Sequence, residues 1–87
     1  MQVLGKPPQN PQTTINGIDY SGHAQDQMQG RGIPPSAVEQ AINSGESSPG
    51  ERGRKQYYDP ENNITAVTEP SGEVVTVHQD GPTGGGK

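Results

Sequence analysis

Cysteine is absent from this chain, as are phenylalanine and tryptophan. Without cysteine neither a disulfide nor a thiolate metal site can staple the fold, and two histidines are too few for most zinc sites. Aromatic residues make up 3% of the sequence and hydrophobic residues 24%, so any core must be assembled from Val, Ile, Ala, Met and the three tyrosines. Length allows one domain with a marginal core, whose stability a bound partner would raise. No run approaches the roughly 20 apolar residues of a membrane span, and no charged segment followed by an apolar stretch opens the chain. The expectation is a soluble domain without an export signal of its own. Positive charge is also scarce. A formal net charge of -4 and a pI near 4.9 argue against a broad nucleic-acid-binding surface, because phosphate affinity grows with the number of cations neutralised. The cations are unevenly spread, however. Arg52, Arg54 and Lys55 fall close together, and Arg31 is able to join them in space, which leaves room for a small cationic site on an acidic body.

Residues 1–14 contain Lys6-Pro7-Pro8 and Asn10-Pro11, lack apolar periodicity and read as an extended linker. Residues 81–87 (GPTGGGK) read as a flexible end, which leaves 15–80 as the folded domain. A first helix starts at Ser21 as N-cap and ends at Gly30 or Gly32. Along it His23, Gln27 and Arg31 are four residues apart and form one polar line beside the apolar line of Ala24 and Met28. Pro34-Pro35 forces a turn, Ser36 and Glu39 have the spacing of a capping box, and Ala37, Val38, Ala41 and Ile42 form the stripe of a second helix. Residues 43–53, rich in Ser, Gly and Pro, read as an exposed, mobile loop able to cover a site. Three strands follow over 54–59, 63–69 and 73–79, separated by Pro60-Glu61-Asn62 and Pro70-Ser71-Gly72. The expected fold is α+β, with two N-terminal helices packed on an antiparallel meander of three to four strands. Alternation in the last strand places Val75 and Val77 on one face and Val74, Thr76 and His78 on the other. Tyr57 and Tyr58 fall on opposite faces of the first of these strands, so one of them is open to stack on a base.

Tyr20-Ser21-Gly22-His23-Ala24, Met28-Gln29-Gly30-Arg31-Gly32-Ile33, Ile42-Asn43-Ser44-Gly45, a Tyr-containing strand and the closing Val75-Thr76-Val77-His78 follow one another across most of the foldable chain. This order resembles the small bacterial ribonuclease toxin domains of the barnase–EndoU–colicin–RelE-like superfamily, which often form the C-terminal toxin in contact-dependent growth inhibition and other polymorphic toxin systems. The resemblance implies helices packed on an antiparallel sheet, metal-independent RNA cleavage with no cofactor, and a cognate immunity protein that blocks the site. It further implies delivery from a larger secreted or cell-surface protein into the cytoplasm of a target cell. There tRNA is the expected substrate, and a host activating factor is a further partner to be considered. Matched residue by residue, the helix histidine is His23, the arginine that follows is Arg31 and the last-strand threonine is Thr76. Relatives place an aromatic residue where this chain has His78.

RNA cleavage through the ribose 2'-OH needs a base for that proton, an acid for the departing 5'-oxygen, and donors or cations around the crowded phosphate. His23 and His78 are the expected acid–base pair, since imidazole exchanges protons near neutral pH. Arg31 and Lys55 would stabilise the phosphorane, and Thr76 or Tyr57 would donate a hydrogen bond. Gln27, Arg54, Lys55 and Tyr58 are the expected substrate contacts. Each residue also has a plainer role. His23 sits where a helix-start residue packs or caps, Arg31 complements a helix dipole, Thr76 is a strand former, and the Arg52–Lys55 cluster suits a solvated junction. The competing function is a non-catalytic protein- or RNA-binding module of the same fold.

Overall fold

The computed structural model describes residues 10–79. Most of the segment read as a linker (1–9) and all of the flexible end (81–87) lie outside the described residues. The elements run β1 (Thr13–Ile15), β2 (Ile18–Tyr20), α1 (Gly22–Arg31), α2 (Pro35–Ser44), β3 (Glu46–Pro49), a 3-10 turn (Glu51–Gly53), β4 (Lys55–Asp59), β5 (Ile64–Thr68) and β6 (Val74–Gln79). They build an α+β fold with a six-stranded mixed sheet in the order β1-β2-β6-β5-β4-β3. The meander of β4, β5 and β6 follows the expected antiparallel course.

Two expectations are corrected. The helices are not N-terminal, because a hairpin precedes them. Asn16 and Gly17 both take positive φ (53° and 82°), which gives the tight turn whose twist matches that of two short strands, so β1 begins inside the expected linker. The expected mobile loop contains a strand as well: β3 pairs with β4 over Glu46–Pro49 and forms one edge of the sheet.

Local chemistry explains the helices. Ser21 caps α1, its Oγ accepting from the Ala24 amide at 3.0 Å, and Gly32 ends it in the left-handed conformation (φ 69°). In α2 the expected capping box does not form. Pro34 occupies the N-cap position with Pro35 at the first helical position, and Glu39 instead accepts from Asn16 Nδ2 at 2.7 Å. Gly45 closes α2 where a side chain has no room: a Cβ there would lie 2.4 Å from the Ala41 carbonyl oxygen and 2.5 Å from that of Tyr58.

Both helices cover one face of the sheet. Tyr20, Ala24, Met28, Ile33, Val38, Ile64, Ala66, Val74 and Val77 form the core between them, with Ile15, Ile18, Ala37 and Ile42 packed at its margin. Asp59 ties α2 to the β4–β5 turn by accepting from Gln40 Nε2 (3.0 Å), Asn62 Nδ2 (2.8 Å) and the Glu61 amide (3.0 Å). The expected alternation of β6 is broken between Val74 and Val77. A bulge shifts the register, pairing Thr68 with Val74 but Val67 with Thr76. Val74 and Val77 consequently both enter the core, and Thr76 and His78 emerge on the opposite, helix-free face.

Candidate functional site

The helix-free face is built from cross-strand rows. Glu46, Tyr58, Thr65 and His78 follow one another across β3, β4, β5 and β6, and Ser48, Gln56, Val67 and Thr76 form the adjacent row. At the β3–β4 end the 3-10 turn rises beside the second row. Glu51, Arg54, Gln56, Val67, Thr76 and His78 together line a cleft of about 230 Å³. The 3-10 turn is shaped by two successive residues with positive φ, Arg52 (60°) and Gly53 (77°), and the hairpin is closed by a hydrogen bond from the Gly50 amide to the Arg54 carbonyl (2.8 Å).

Chemistry concentrates on His78. Its Nδ1 lies 3.0 Å from the carbonyl oxygen of Gln79. A carbonyl only accepts, so this contact puts the ring proton on Nδ1 and makes Nε2 the nitrogen that takes up or gives back a proton. Nε2 is buried and has no hydrogen-bond partner. A buried polar atom left unpaired costs about 1–3 kcal/mol, a cost that binding sites tolerate and ordinary cores avoid. Arg54 brings the positive charge. Its guanidinium is held by Glu69, with Nε donating to Oε2 at 2.9 Å and Nη2 2.8 Å from the same oxygen, and both side chains remain about one-third exposed. Gln56 crosses the floor with its Nε2 donating to the Pro49 carbonyl at 3.3 Å.

The residues nominated from the sequence therefore divide. Thr76, His78 and Arg54 share the cleft. Tyr58 stands on the same face in the row of His78, its hydroxyl donating to Asn63 Oδ1 at 2.7 Å. Tyr57 and Lys55 point to the helix side of β4, where the Lys55 ammonium lies 6.0 Å from the centre of the Tyr57 ring. Gln27 and Arg31 are engaged elsewhere. Gln27 Oε1 accepts from the Val77 amide at 2.8 Å, and Arg31 Nη1 donates to the Val77 carbonyl at 3.1 Å. Among the described residues β2 pairs with β6 only at Tyr20 and Val74, so these two side chains satisfy backbone groups that no described strand covers. Their polar line on α1 is a clamp on the β6 edge at the residue between Thr76 and His78. His23, exposed at the start of α1, belongs to the layer that covers Val74 and Val77, whereas His78 faces away from that layer.

Glu51, within the segment expected to be a mobile loop, is a further residue of the cleft. The signal for it is positional, since it lies one turn ahead of Arg54 in the hairpin that the β3–β4 pairing creates. Among the described residues no three His, Cys, Asp or Glu side chains gather closely enough to hold a metal ion, and no helix is long and apolar enough to cross a membrane. Comparison of the chain with protein-family models, with curated proteins and with solved structures gives no match, so the cleft is read from its own geometry.

Proposed function

We propose that the protein is a toxin endoribonuclease whose catalytic cleft lies on the helix-free face of the sheet. One observation carries the reading: His78, with its unpartnered Nε2, lines one cleft together with Arg54, Glu51 and Thr76. These are the groups that 2'-OH attack on a phosphodiester requires. In the reaction the ribose 2'-oxygen forms a bond to phosphorus and the bond from phosphorus to the 5'-oxygen breaks. Glu51 and His78 divide the two proton transfers. The Glu51 carboxylate takes the 2'-OH proton, and Nε2 of the His78 imidazolium gives one to the departing 5'-oxygen. Arg54 offsets the charge that builds on the phosphate, and Thr76 donates to a non-bridging oxygen. The products are a 2',3'-cyclic phosphate and a 5'-hydroxyl. Tyr58, in the row of His78, is placed to stack on a base next to the cleaved bond.

In this reading His23, Gln27 and Arg31 take no part in the chemistry. Gln27 and Arg31 hold β6 in place, and the paired-imidazole arrangement is set aside because His78 emerges on the helix-free face while His23 is an exposed residue of the helix layer on the other side. Growth inhibition of a target bacterium, tRNA as the RNA, release from a larger secreted or cell-surface protein and neutralisation by an immunity protein are parts of the same proposal, supported by the sequence resemblance. A non-catalytic binding module is the second reading. The Arg54–Glu69 ion pair favours it, since it spends part of the cleft's positive charge within the protein.

Incubation of the purified protein with total tRNA in the presence of a chelator tests the proposal. The expected result is discrete fragments ending in 2',3'-cyclic phosphate. Intact RNA after prolonged incubation, with and without cell extract, would leave the binding module as the better reading.

A further inference from the structure

The cleft continues past Arg54. On the far side of this residue a second recess of about 410 Å³ opens against Ser47, Ser48, Gly53 and Lys55, and it shares Gly50 and Arg54 with the catalytic cleft. It lies at β3, the edge strand of the sheet among the described residues. The position of the chain's cations gives this continuity a meaning. Lysine and arginine number six in a protein of net charge -4. Lys6 and Lys87 lie in the terminal segments, and Arg31 is engaged by the Val77 carbonyl. Among the described residues the other three, Arg52, Arg54 and Lys55, fall in one hairpin, with Arg54 also paired to Glu69. This hairpin is the densest cluster of cations among the described residues, and it is where a polyanion seated in the first cleft gains most by extending.

We propose that the second recess is a phosphate subsite, so that the ligand is an oligonucleotide that passes Arg54 from the helix-free face round the β3 edge, and not a single dinucleotide. The proposal rests on the nuclease reading for the identity of the first cleft. The Lys55 ammonium and the Ser47 hydroxyl, both on the helix side of the hairpin, supply the charge and a donor for the phosphate next to the scissile one. Arg54, forming the wall between the two recesses, lies between successive phosphates. Arg52, exposed on the rim, adds charge without lining the recess. An acidic protein surface is the other polyanion that could meet this hairpin, and the experiment separates the two.

The test uses uncleavable 2'-deoxy oligonucleotides with the wild-type protein and with Lys55→Gln, a change at an exposed position. Dissociation constants are measured for a dinucleotide and a tetranucleotide at several salt concentrations. The proposal expects tetranucleotide affinity at least about tenfold above that of the dinucleotide. In Lys55→Gln that ratio falls towards one, and the salt slope for the tetranucleotide drops by about 0.7, the share of one single-strand phosphate. Equal affinity for the two lengths, or an unchanged ratio in Lys55→Gln, overturns the subsite. Absence of binding to either oligonucleotide overturns it as well and leaves the hairpin to a protein partner. Cleavage of the matching ribo-oligonucleotides is scored in parallel. Length-independent cleavage removes the subsite and keeps the nuclease. Length-dependent binding without cleavage does the reverse.

Discussion

Replacing Gln27 with Leu removes the acceptor for the Val77 amide while keeping a side chain of similar volume on α1. Val77 is fully buried, and the bond it loses is 2.8 Å long. Among the described residues no strand lies beside β6 at this point to take Gln27's place, so the amide is left unpaired at a cost of about 1–3 kcal/mol. For a domain of this size each kcal/mol is worth roughly 4–8 °C in melting temperature. Thermal unfolding followed by circular dichroism therefore reads a fall of at least about 4 °C, and amide hydrogen exchange at Val77 reads faster opening at that residue. Gln27→Glu keeps an accepting oxygen beside Arg31 and retains most of the stability. If Gln27→Leu melts with the wild type and the Val77 amide exchanges at its original rate, the edge clamp contributes nothing and the account of the polar line on α1 is wrong.

Tyr20 provides a pH test. Burial, with a smaller contribution from the Glu39 carboxylate, pushes its phenol up to about 12. The folded pKa exceeds the unfolded value of about 10, so the associated stability is complete below pH 10 and is lost as pH rises towards 12, by on the order of 2–3 kcal/mol. Tyr20→Phe removes this step in a urea titration and costs little at neutral pH, because the buried hydroxyl has no partner; an identical loss in the Phe variant refutes the assignment. Gly45→Ala drives a methyl group into two backbone carbonyls, and a loss of about 1–3 kcal/mol or more is expected in chemical denaturation, with wild-type stability as the contrary result. Asp59→Ala unties α2 from the β4–β5 turn by stranding the Gln40, Asn62 and Glu61 donors, and should lower stability by about 1–3 kcal/mol; a neutral change would show that these bonds are replaced by water.

The legible parts of the fold are those with local causes. Ser21 and Gly32 bound α1 through capping chemistry, and Pro60-Glu61-Asn62 and Pro70-Ser71-Gly72 separate three strands that pair in chain order. The first hairpin carried a usable signal in Asn16-Gly17, overlooked because β1 and β2 are only three residues each and merge with a proline-rich leader. β3 carried almost none: Glu46-Ser47-Ser48-Pro49 has no apolar alternation and becomes a strand because β4 offers it backbone partners. The bulge in β6 is a register effect between two strands and leaves no mark in either alone. That bulge decides the site, because it turns Val74 inward and presents Thr76 and His78 on the outer face. Chemical type was legible where topology was not. Thr76, His78 and Arg54, nominated from their chemistry, line one cleft, yet the role of the His23–Gln27–Arg31 line depends on an uncovered strand edge that no spacing reveals.

Cleavage of tRNA by His78→Gln and His23→Gln, measured beside the wild type under identical conditions, tests the proposed catalytic role of the cleft most directly. The account predicts a loss of about 100-fold or more for His78→Gln, in the range usual for removal of a proton-transfer group, and activity within a few-fold of wild type for His23→Gln. Full activity in His78→Gln, or its loss in a folded His23→Gln, would contradict it.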